Sequence, residues 1–556
     1  MLRKLPRIPD PAALRRSLAA LGLLVVGTAA CSKVGNQIAG ERHSWTQAGV
    51  LRVAIATDLK TLNPLLNSDT ADGFVDRFMF EPLLTADPKG NPLPMLASQV
   101  PTQANGGISK DGLTITYRLR RDAKWTDGVP VTSRDVKWSW QAIMNPDNDV
   151  ISRHGYDDVA GIDTPAPYTV VVHLKRPFSP FVNTFFAESD QPYMIAPAHV
   201  LARYPNINQI PFNSAPLVSD GPFKFQQWSR GDHISLIRND GFFLGRPGLQ
   251  RVVVRTVPDE DTAVNLLRTH GIDYIFQASI ENYPALRALS DVRIVWVDVN
   301  GYSYVQLNLA RPFLKDPKVR LAVAYAIDKR ELVGTLAFGT QTVATADIPD
   351  WMWAYNPALR NYPHDPVRSR VLLHQAGWTV GPDGIMRKNG ESLTLVIVTN
   401  NSSATRRREA LEIQAMLRQA GIDSEIKSYP ADVLFAPAGM GGILQLGKFD
   451  LSVSGWYAGI DPDDSTQFTC NNFPPGGYNY SRYCDAQMEA AQRIALTKYD
   501  RPSRVAAYYQ IQQLLMRDNP ALFVYWLRQM EPISVDFHGF DPNPVEESWN
   551  AWQWSI

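Results

Sequence analysis

The sequence predicts a protein built from several α/β lobes, and three observations support this prediction. The chain has 556 residues, too many for one hydrophobic core, because a domain usually contains ~100–200 residues. Segments with strand periodicity alternate with segments that carry helix start and stop signals, which is typical of α/β folds. Apolar residues make up 45% and charged residues 20% of the chain, as in a soluble globular protein. We therefore expect two or three packed lobes.

The N-terminal residues have the order of an export signal. A basic stretch ends at Arg15-Arg16 and is followed by apolar residues 18–26, small residues 27–30 and then Cys31. The apolar run is too short for a permanent transmembrane helix. Cys31 lies where a bacterial lipoprotein signal places its acylated cysteine, although Thr28 replaces the larger aliphatic residue that is usual there. The alternative is ordinary cleavage near Ala30, which would leave Cys31 as a free thiol.

These features predict a signal peptide over residues 1–30, a lipid anchor on Cys31 and a polar tether over residues 31–44. The protein would then lie outside the cytoplasmic membrane, attached to it by the anchor. The chain has three cysteines, so acylation of Cys31 would leave Cys470 and Cys484 to pair within a turn-rich segment. The alternative is two reduced thiols, which an oxidising compartment disfavours.

The first half of the folded chain combines strands with one well-marked helix. Residues 51–55 and 113–119 alternate in polarity as strands do, and residues 168–174 form a further predicted strand. Thr132 and Asp135 form a capping box, which predicts a helix that ends before Asn145. Residues 252–254 are consecutive valines, as expected for a strand buried on both faces.

The second half carries four predicted helices. Asp316-Pro317 and Asp365-Pro366 each supply an N-cap followed by proline at the first helical position. A long helix is predicted from about Ser403 to Ala420, and another over about residues 502–516.

Several function classes find no support in the sequence. The formal net charge is zero and there is no basic stripe, so nucleic acid is not an expected partner. The zinc-protease, serine-hydrolase and Walker A motifs are absent from the sequence, and no nucleophile–base pair is evident. The nine histidines are scattered without close metal-ligand spacing. We predict a binding protein rather than an enzyme, with no catalytic residues, no cofactor and no metal site.

A series of short motifs is spread over most of the chain. The segments are 61–64 (TLNP), 81–84 (EPLL), 97–98 (AS), 111–114 (DGLT), 117–120 (YRLR), 124–128 (KWTDG), 131–136 (VTSRDV), 221–223 (GPF), 316–320 (DPKVR), 326–328 (AID), 455–456 (GW) and 461–463 (DPD). Each motif is weak alone, and several are turn or cap chemistry, but their order and spacing together are specific. Together they resemble the peptide-binding family of ABC-importer solute receptors, the dipeptide, oligopeptide and nickel group.

The resemblance implies a two-lobed, periplasmic-binding-protein-like (Venus-flytrap) α/β fold with an extra subdomain in the first lobe. We expect lobe I over residues 45–302, with the extra subdomain at about 86–214. Lobe II would cover 303–530, and residues 531–556 would return to lobe I. The two connections between the lobes are expected near residues 300–306 and 531–535.

The resemblance also implies a function. The protein would capture a peptide or peptide-like solute by lobe closure and deliver it, as a monomer, to an ABC permease in the cytoplasmic membrane. Two alternatives stay open: a binding protein for a non-peptide solute such as a sugar or metal chelate, and a sensory receptor or chaperone on the same fold.

Two segments match positions that line the ligand cleft in this family. The segment in the first lobe is a predicted loop that contains Ser68, Asp69 and Thr70. The segment in the second lobe consists of Gly455, Trp456, Tyr457 and Ala458. The alternative for Trp456 is a core aromatic residue, although the neighbouring glycines favour a loop at the cleft rim.

The sequence departs from its peptide-binding relatives after Trp456. Those relatives place there an Asp that pairs with the ligand's α-ammonium, and the first acid in this chain is Asp461. Either Asp461 takes that role, or it is a turn or cap residue and the ligand lacks a free amine.

Overall fold

The protein is described by a computed structural model that covers residues 42–67, 69–189 and 191–556. The predicted signal peptide, Cys31, most of the predicted tether and Ser68 lie outside the described residues. None of the helices in these ranges is both long and apolar enough to cross a membrane.

Strands and helices alternate along the described chain. The strands are β1 (Val50–Ile55), β2 (Leu84–Ala86), β3 (Pro92–Pro94), β4 (Thr114–Arg118), β5 (Val159–Ala166), β6 (Thr169–Leu174), β7 (Phe223–Ser229), β8 (His233–Arg238), β9 (Arg251–Thr256), β10 (Tyr274–Ile275), β11 (Val292–Leu307), β12 (Thr342–Val343), β13 (Thr379–Val380), β14 (Met386–Lys388), β15 (Glu391–Ser392), β16 (Thr394–Asn400), β17 (Asp423–Tyr429), β18 (Leu451–Tyr457) and β19 (Ala521–Ser534). The helices are α1 (Thr70–Asp76), α2 (Ser133–Met144), α3 (Phe181–Thr184), α4 (Ala198–Leu201), α5 (Glu260–Arg268), α6 (Tyr283–Leu286), α7 (Pro317–Ala326), α8 (Lys329–Leu336), α9 (Pro366–Gln375), α10 (Ala404–Gln419), α11 (Ala431–Leu434), α12 (Ser465–Phe468), α13 (Ala486–Thr497) and α14 (Arg501–Asp518).

The predicted helix starts are confirmed, because each depends on side chains next to it in the sequence. Thr132 and Asp135 form the capping box of α2, which ends at Met144 before Asn145. Asp316 accepts a hydrogen bond from the backbone N–H of Lys318 at 2.9 Å and so caps α7. In the same way, the Asp365 side chain caps α9 and the Ser403 side chain caps α10. These bonds satisfy backbone donors that have no partner within the helix.

A sheet of 11 strands runs through the protein in the order β17-β16-β18-β11-β19-β10-β1-β9-β8-β7, with β12 beside β19. Its centre is the antiparallel pair β11 and β19, which are 16 and 14 residues long. The pairing runs from Val292↔Ser534 to Gln306↔Ala521, and its register shifts between Asp298 and Tyr302. The β9 strand is less enclosed than predicted, since Val253 is only half-buried.

The hydrophobic cores divide at this pair of long strands. One group of clusters is built from buried residues between 51 and 286 together with 530–556. The other is built from buried residues between 302 and 526. We call these two groups lobe I and lobe II, and the two-lobed α/β fold predicted from the sequence is confirmed. Lobe I also contains a separate sheet, β4-β6-β5, against which α2 packs.

A disulfide bond joins Cys470 and Cys484 in lobe II, and their Cα atoms are 4.7 Å apart. Fourteen positions separate the two residues in the sequence. In the chain-entropy model, closing a loop of this size stabilises a protein by roughly 3 kcal/mol.

Candidate ligand-binding site

Two adjoining cavities lie between the lobes, beside the long strands. Cavity A, of about 240 Å³, is lined by Asp69, Thr70 and Glu546 from lobe I and by Tyr457 and Ala458 from lobe II. Cavity B, also of about 240 Å³, lies next to it. Its walls include Glu281 of lobe I and Ser403, Arg406 and Tyr525 of lobe II, and it shares Gln277, Tyr457 and Gln529 with cavity A.

The two lobes contact each other directly near these cavities. The Ile460 backbone N–H donates to Glu188 O at 3.0 Å, and Ser179 Oγ donates to Ala495 O at 2.8 Å. The Thr405 hydroxyl donates to the Glu281 carboxylate, and both of these residues line cavity B. Direct hydrogen bonds between the lobes are expected when a two-lobed cleft is closed.

Four of the site residues predicted from the sequence line cavity A: Asp69, Thr70, Tyr457 and Ala458. The predicted loop in lobe I includes a helix start, because Asp69 is the N-cap of α1 and accepts a hydrogen bond from Asp72 N at 3.0 Å. Thr70 Oγ1 donates to Gln277 Oε1 at 3.1 Å. Tyr457 is 55% exposed, so its ring is accessible from the cleft.

The stretch around Trp456 lies on a strand, and the prediction of a rim loop is wrong at this point. Gly455, Trp456 and Tyr457 end β18 and pair with Ser303, Tyr302 and Gly301 of β11. Trp456 lines a small cavity C of about 40 Å³ and stacks edge-on against Tyr478. Among the described residues, Gly455 lines none of cavities A, B and C. It instead lies against Arg406, because a Cβ at this position would be 2.4 Å from Nη2.

Asp461 lines cavity C, but its carboxylate is already engaged within the protein. Oδ1 accepts a hydrogen bond from Arg504 Nη2 at 2.7 Å, and Oδ2 accepts one from Asn183 Nδ2 at 3.3 Å. Both charged side chains of this ion pair are less than one-tenth exposed. Asn183 belongs to lobe I, so Asp461 also contributes to the contact between the lobes.

Two buried carboxyl groups are hydrogen-bonded to Gln277, which lines both cavities on the lobe I side. Glu547 accepts a hydrogen bond from Gln277 Nε2 at 2.9 Å, and burial raises the pKa of Glu547 to about 7. Glu531 accepts one from Tyr274 Oη at 2.7 Å, and burial together with the nearby Glu547 raises its pKa well above the ordinary value. Gln277, which connects these groups, has a φ of 48°, in the left-handed region that non-glycine residues rarely adopt.

The lobe II wall of cavity B is organised by Arg406. Its Nη1 donates to Glu409 Oε2 at 2.7 Å and to the Ser303 hydroxyl. Ser303 Oγ in turn donates to Glu409 Oε1 at 2.6 Å, and Glu409 is fully buried. This network fixes the guanidinium group of a residue that lines cavity B, next to the long strand β11.

Comparisons with known proteins agree with this geometry. Residues 91–479 match the family described as bacterial extracellular solute-binding proteins, family 5, middle region. The chain belongs to this family.

Among curated relatives, the oligopeptide-binding protein AppA of Bacillus subtilis is 25% identical over 549 residues, covering 97% of each chain. The glutathione-binding protein GsiB of Salmonella choleraesuis is 28% identical, covering 84% of this chain and 87% of that one. The solved structure of NikZ from Campylobacter jejuni in complex with Ni(L-His) is 25% identical, covers 92% of this chain and 100% of that one, and has a TM-score of 0.76. The B. subtilis AppA structure with a nonapeptide, 24% identical, has a TM-score of 0.74 over 92% of this chain and 99% of that one.

Family membership confirms three predictions made from the sequence: the resemblance itself, the fold class, and a binding protein rather than an enzyme. An extracellular solute-binding protein acts outside the cytoplasm, so the coarse prediction of location also holds. Within the described residues, no group of three or more His, Cys, Asp or Glu side chains is placed to hold a metal ion.

For this family 5 protein, sequence analysis missed several cleft residues: Gln277, Arg406, Gln529 and Glu546. Glu546 and Glu547 follow Pro544 in a polar C-terminal segment, where such acids usually belong to a solvated surface. Arg406 lies in the first turn of α10, a helix that the sequence predicts from its N-cap residue Ser403 and not from Arg406. Neither periodicity nor spacing distinguishes these residues from ordinary surface charges, because their role depends on contacts with distant parts of the chain.

Proposed function

We propose that this protein captures peptides or peptide-like solutes outside the cytoplasmic membrane and delivers them to the permease of an ABC importer. The observation that carries the proposal is the pair of adjoining cavities between the lobes, which polar residues of both lobes line. Polar groups fixed on opposite walls of a cleft are suited to the backbone amides and charged ends of a peptide. The relatives named for oligopeptide and glutathione binding support the same ligand class.

We propose that capture involves closure of lobe I, residues 45–302 and 531–556, on lobe II, residues 303–530. The register shift between Asp298 and Tyr302 in the β11–β19 pair supports a hinge at that point, because it interrupts the regular ladder between the lobes. A ligand that contacts both walls binds the closed form better than the open form and so shifts the population towards closure.

The ligand class is tested by native mass spectrometry of gently purified protein, followed by calorimetry with the copurified compound. We expect a peptide or peptide conjugate with micromolar affinity, which corresponds to about −8 kcal/mol. Small-angle scattering at saturation should show a smaller radius of gyration than without ligand. A copurified sugar or metal chelate, with no response to short peptides, would contradict the peptide proposal while leaving solute binding intact.

We further propose that the protein is anchored to the membrane through an acylated Cys31. The small residues before Cys31 and the polar residues after it support this proposal. Cys31→Ser should move the protein from the membrane fraction to the soluble fraction and remove the mass of the lipid. A Cys31→Ser protein that remains in the membrane fraction with unchanged mass would refute the anchor.

A further inference from the structure

Glu546 lines the wall of cavity A. The residue is 3% exposed and belongs to the C-terminal segment of lobe I. Its backbone N–H donates to Asn543 Oδ1 at 2.6 Å, and its Oε1 accepts a hydrogen bond from Ser548 Oγ at 3.0 Å. Within the part of the chain that the structure describes, no donor reaches Oε2. The side chain is therefore held in place while one of its oxygens keeps its capacity to accept hydrogen bonds.

Gly73 of α1 lies next to Oε2 and also lines cavity A. A Cβ at position 73 would lie 3.3 Å from Oε2 and would crowd the approach to the carboxylate. Asp69 and Thr70, at the start of the same helix, also line cavity A. A donor group that enters the cavity can therefore meet Glu546 beside a second carboxylate and a hydroxyl group.

The surroundings of Glu546 are strongly acidic. Burial raises its pKa well above the ordinary value, and the carboxyl groups of Glu547 and Glu188 raise it further. The nearby cation Arg77 lowers this pKa, but its guanidinium group is paired with Glu81. This raised pKa favours the neutral form of the Glu546 carboxyl group in the empty cavity. A positive charge brought into cavity A would lower the pKa, favour the ionised carboxylate and offset the repulsion between these groups.

The carboxylate on the opposite side of the cleft is not available for this role. Asp461 is paired with Arg504, and Gly459 has no side chain. The Gly459 backbone also lies too close to lobe I for a side chain, since a Cβ there would be 2.6 Å from Glu188 O. A cationic group in the closed cleft is therefore better placed against lobe I than against the β18 end of lobe II.

We propose that Glu546 binds an ammonium group of the ligand in cavity A, so that this protein recognises cationic peptides from lobe I. This inference rests on the proposed function and names the ligand chemistry of the same cleft. An ammonium group offers three donors and one positive charge, which match the free Oε2 and the acidic wall around it. The ammonium can come from the peptide N-terminus or from a lysine side chain, and peptides that carry only one of these groups separate the two sources.

The test compares three probes by calorimetry: trialanine, N-acetyl-trialanine and N-acetyl-Ala-Ala-Lys. If the α-amine is bound, the protein should prefer trialanine over N-acetyl-trialanine at least tenfold, and Glu546→Gln should abolish this preference. If a lysine side chain is bound, N-acetyl-Ala-Ala-Lys should show the preference and lose it in the same variant. The matched control is Asp541→Asn, an exposed acid of the same C-terminal segment, which should keep the preference.

Two results would overturn the inference while the proposed function stands. One is equal affinity of the unaltered protein for all three probes, and the other is a cation preference that survives in Glu546→Gln. If none of the peptides binds, the peptide proposal itself fails, and 1,4-diaminobutane then tests the ammonium site separately. An increase in thermal unfolding temperature with this diamine that is lost in Glu546→Gln would support the site, and no increase would overturn it.

Discussion

Replacing Gly459 with alanine is expected to weaken ligand binding at least tenfold, which corresponds to about 1.4 kcal/mol. The Cβ of alanine would lie 2.6 Å from both Glu188 O and Ser189 Cα across the cleft. These are backbone atoms that cannot rotate away, so the lobes would have to stay further apart. The Ile460 to Glu188 hydrogen bond, 3.0 Å long in the closed arrangement, would be lost or lengthened.

Calorimetry with the copurified ligand measures the loss of affinity, and small-angle scattering measures whether the liganded variant stays more expanded. Gly439→Ala is the matched control, because Gly439 is an exposed glycine of lobe II and a Cβ added there would have no atom within 4 Å. Unchanged affinity and full contraction in Gly459→Ala would show that the lobes do not need this close approach. Gly459→Asp should bind no better than Gly459→Ala, since the added carboxylate starts from the same obstructed Cβ.

Asp461→Asn is expected to destabilise the protein by about 3 kcal/mol, in the range typical for breaking a buried ion pair. The substitution leaves the Arg504 guanidinium group buried without its counter-ion, which lies 2.7 Å away in the unaltered protein. The loss should appear in urea unfolding followed by circular dichroism. Affinity for free-amine peptides should change less than in Glu546→Gln, because Asp461 is paired inside the protein.

A double-mutant cycle separates the ion pair from other effects of the substitution. Asp461→Leu combined with Arg504→Met should restore much of the stability, because no unpaired charge then remains buried. Asp463→Asn is a nearby control with a smaller expected effect, since burial raises the pKa of Asp463 and so already favours its neutral form. Loss of free-amine binding in Asp461→Asn at unchanged stability would instead make Asp461 the ammonium partner.

The local elements were predictable because their signals lie within a few residues of each other. The capping box of Thr132 and Asp135 and the Asp-Pro starts at residues 316 and 365 act on neighbouring backbone N–H groups. Such interactions need no information about distant parts of the chain. The end of β18 was harder to predict from the sequence, because Gly455 and Trp456 adopt a strand conformation by pairing with β11, about 150 residues away.

The candidate site was predictable only in part, for a related reason. Asp69, Thr70, Tyr457 and Ala458 were found through a family resemblance, and the structure places all four on cavity A. Asp461 was identified as the first acid after Trp456, but the sequence could not show that Arg504, 43 positions later, neutralises it. Which side chain pairs with a buried acid depends on how distant helices and loops pack together in the fold.

The sequence by itself determined the α/β class, the helix starts and the family, and the family resemblance pointed to four residues that line cavity A. The tertiary structure alone decided which carboxyl groups are paired inside the protein. Glu546 is 473 positions from Gly73 and Asp461 is 278 positions from Asn183, yet each pair is in contact in the folded protein. Charge pairing and burial depend on such long-range packing, which produces no periodic pattern in the sequence. Only the folded lobes therefore show that Asp461 is paired and that Glu546 lines cavity A.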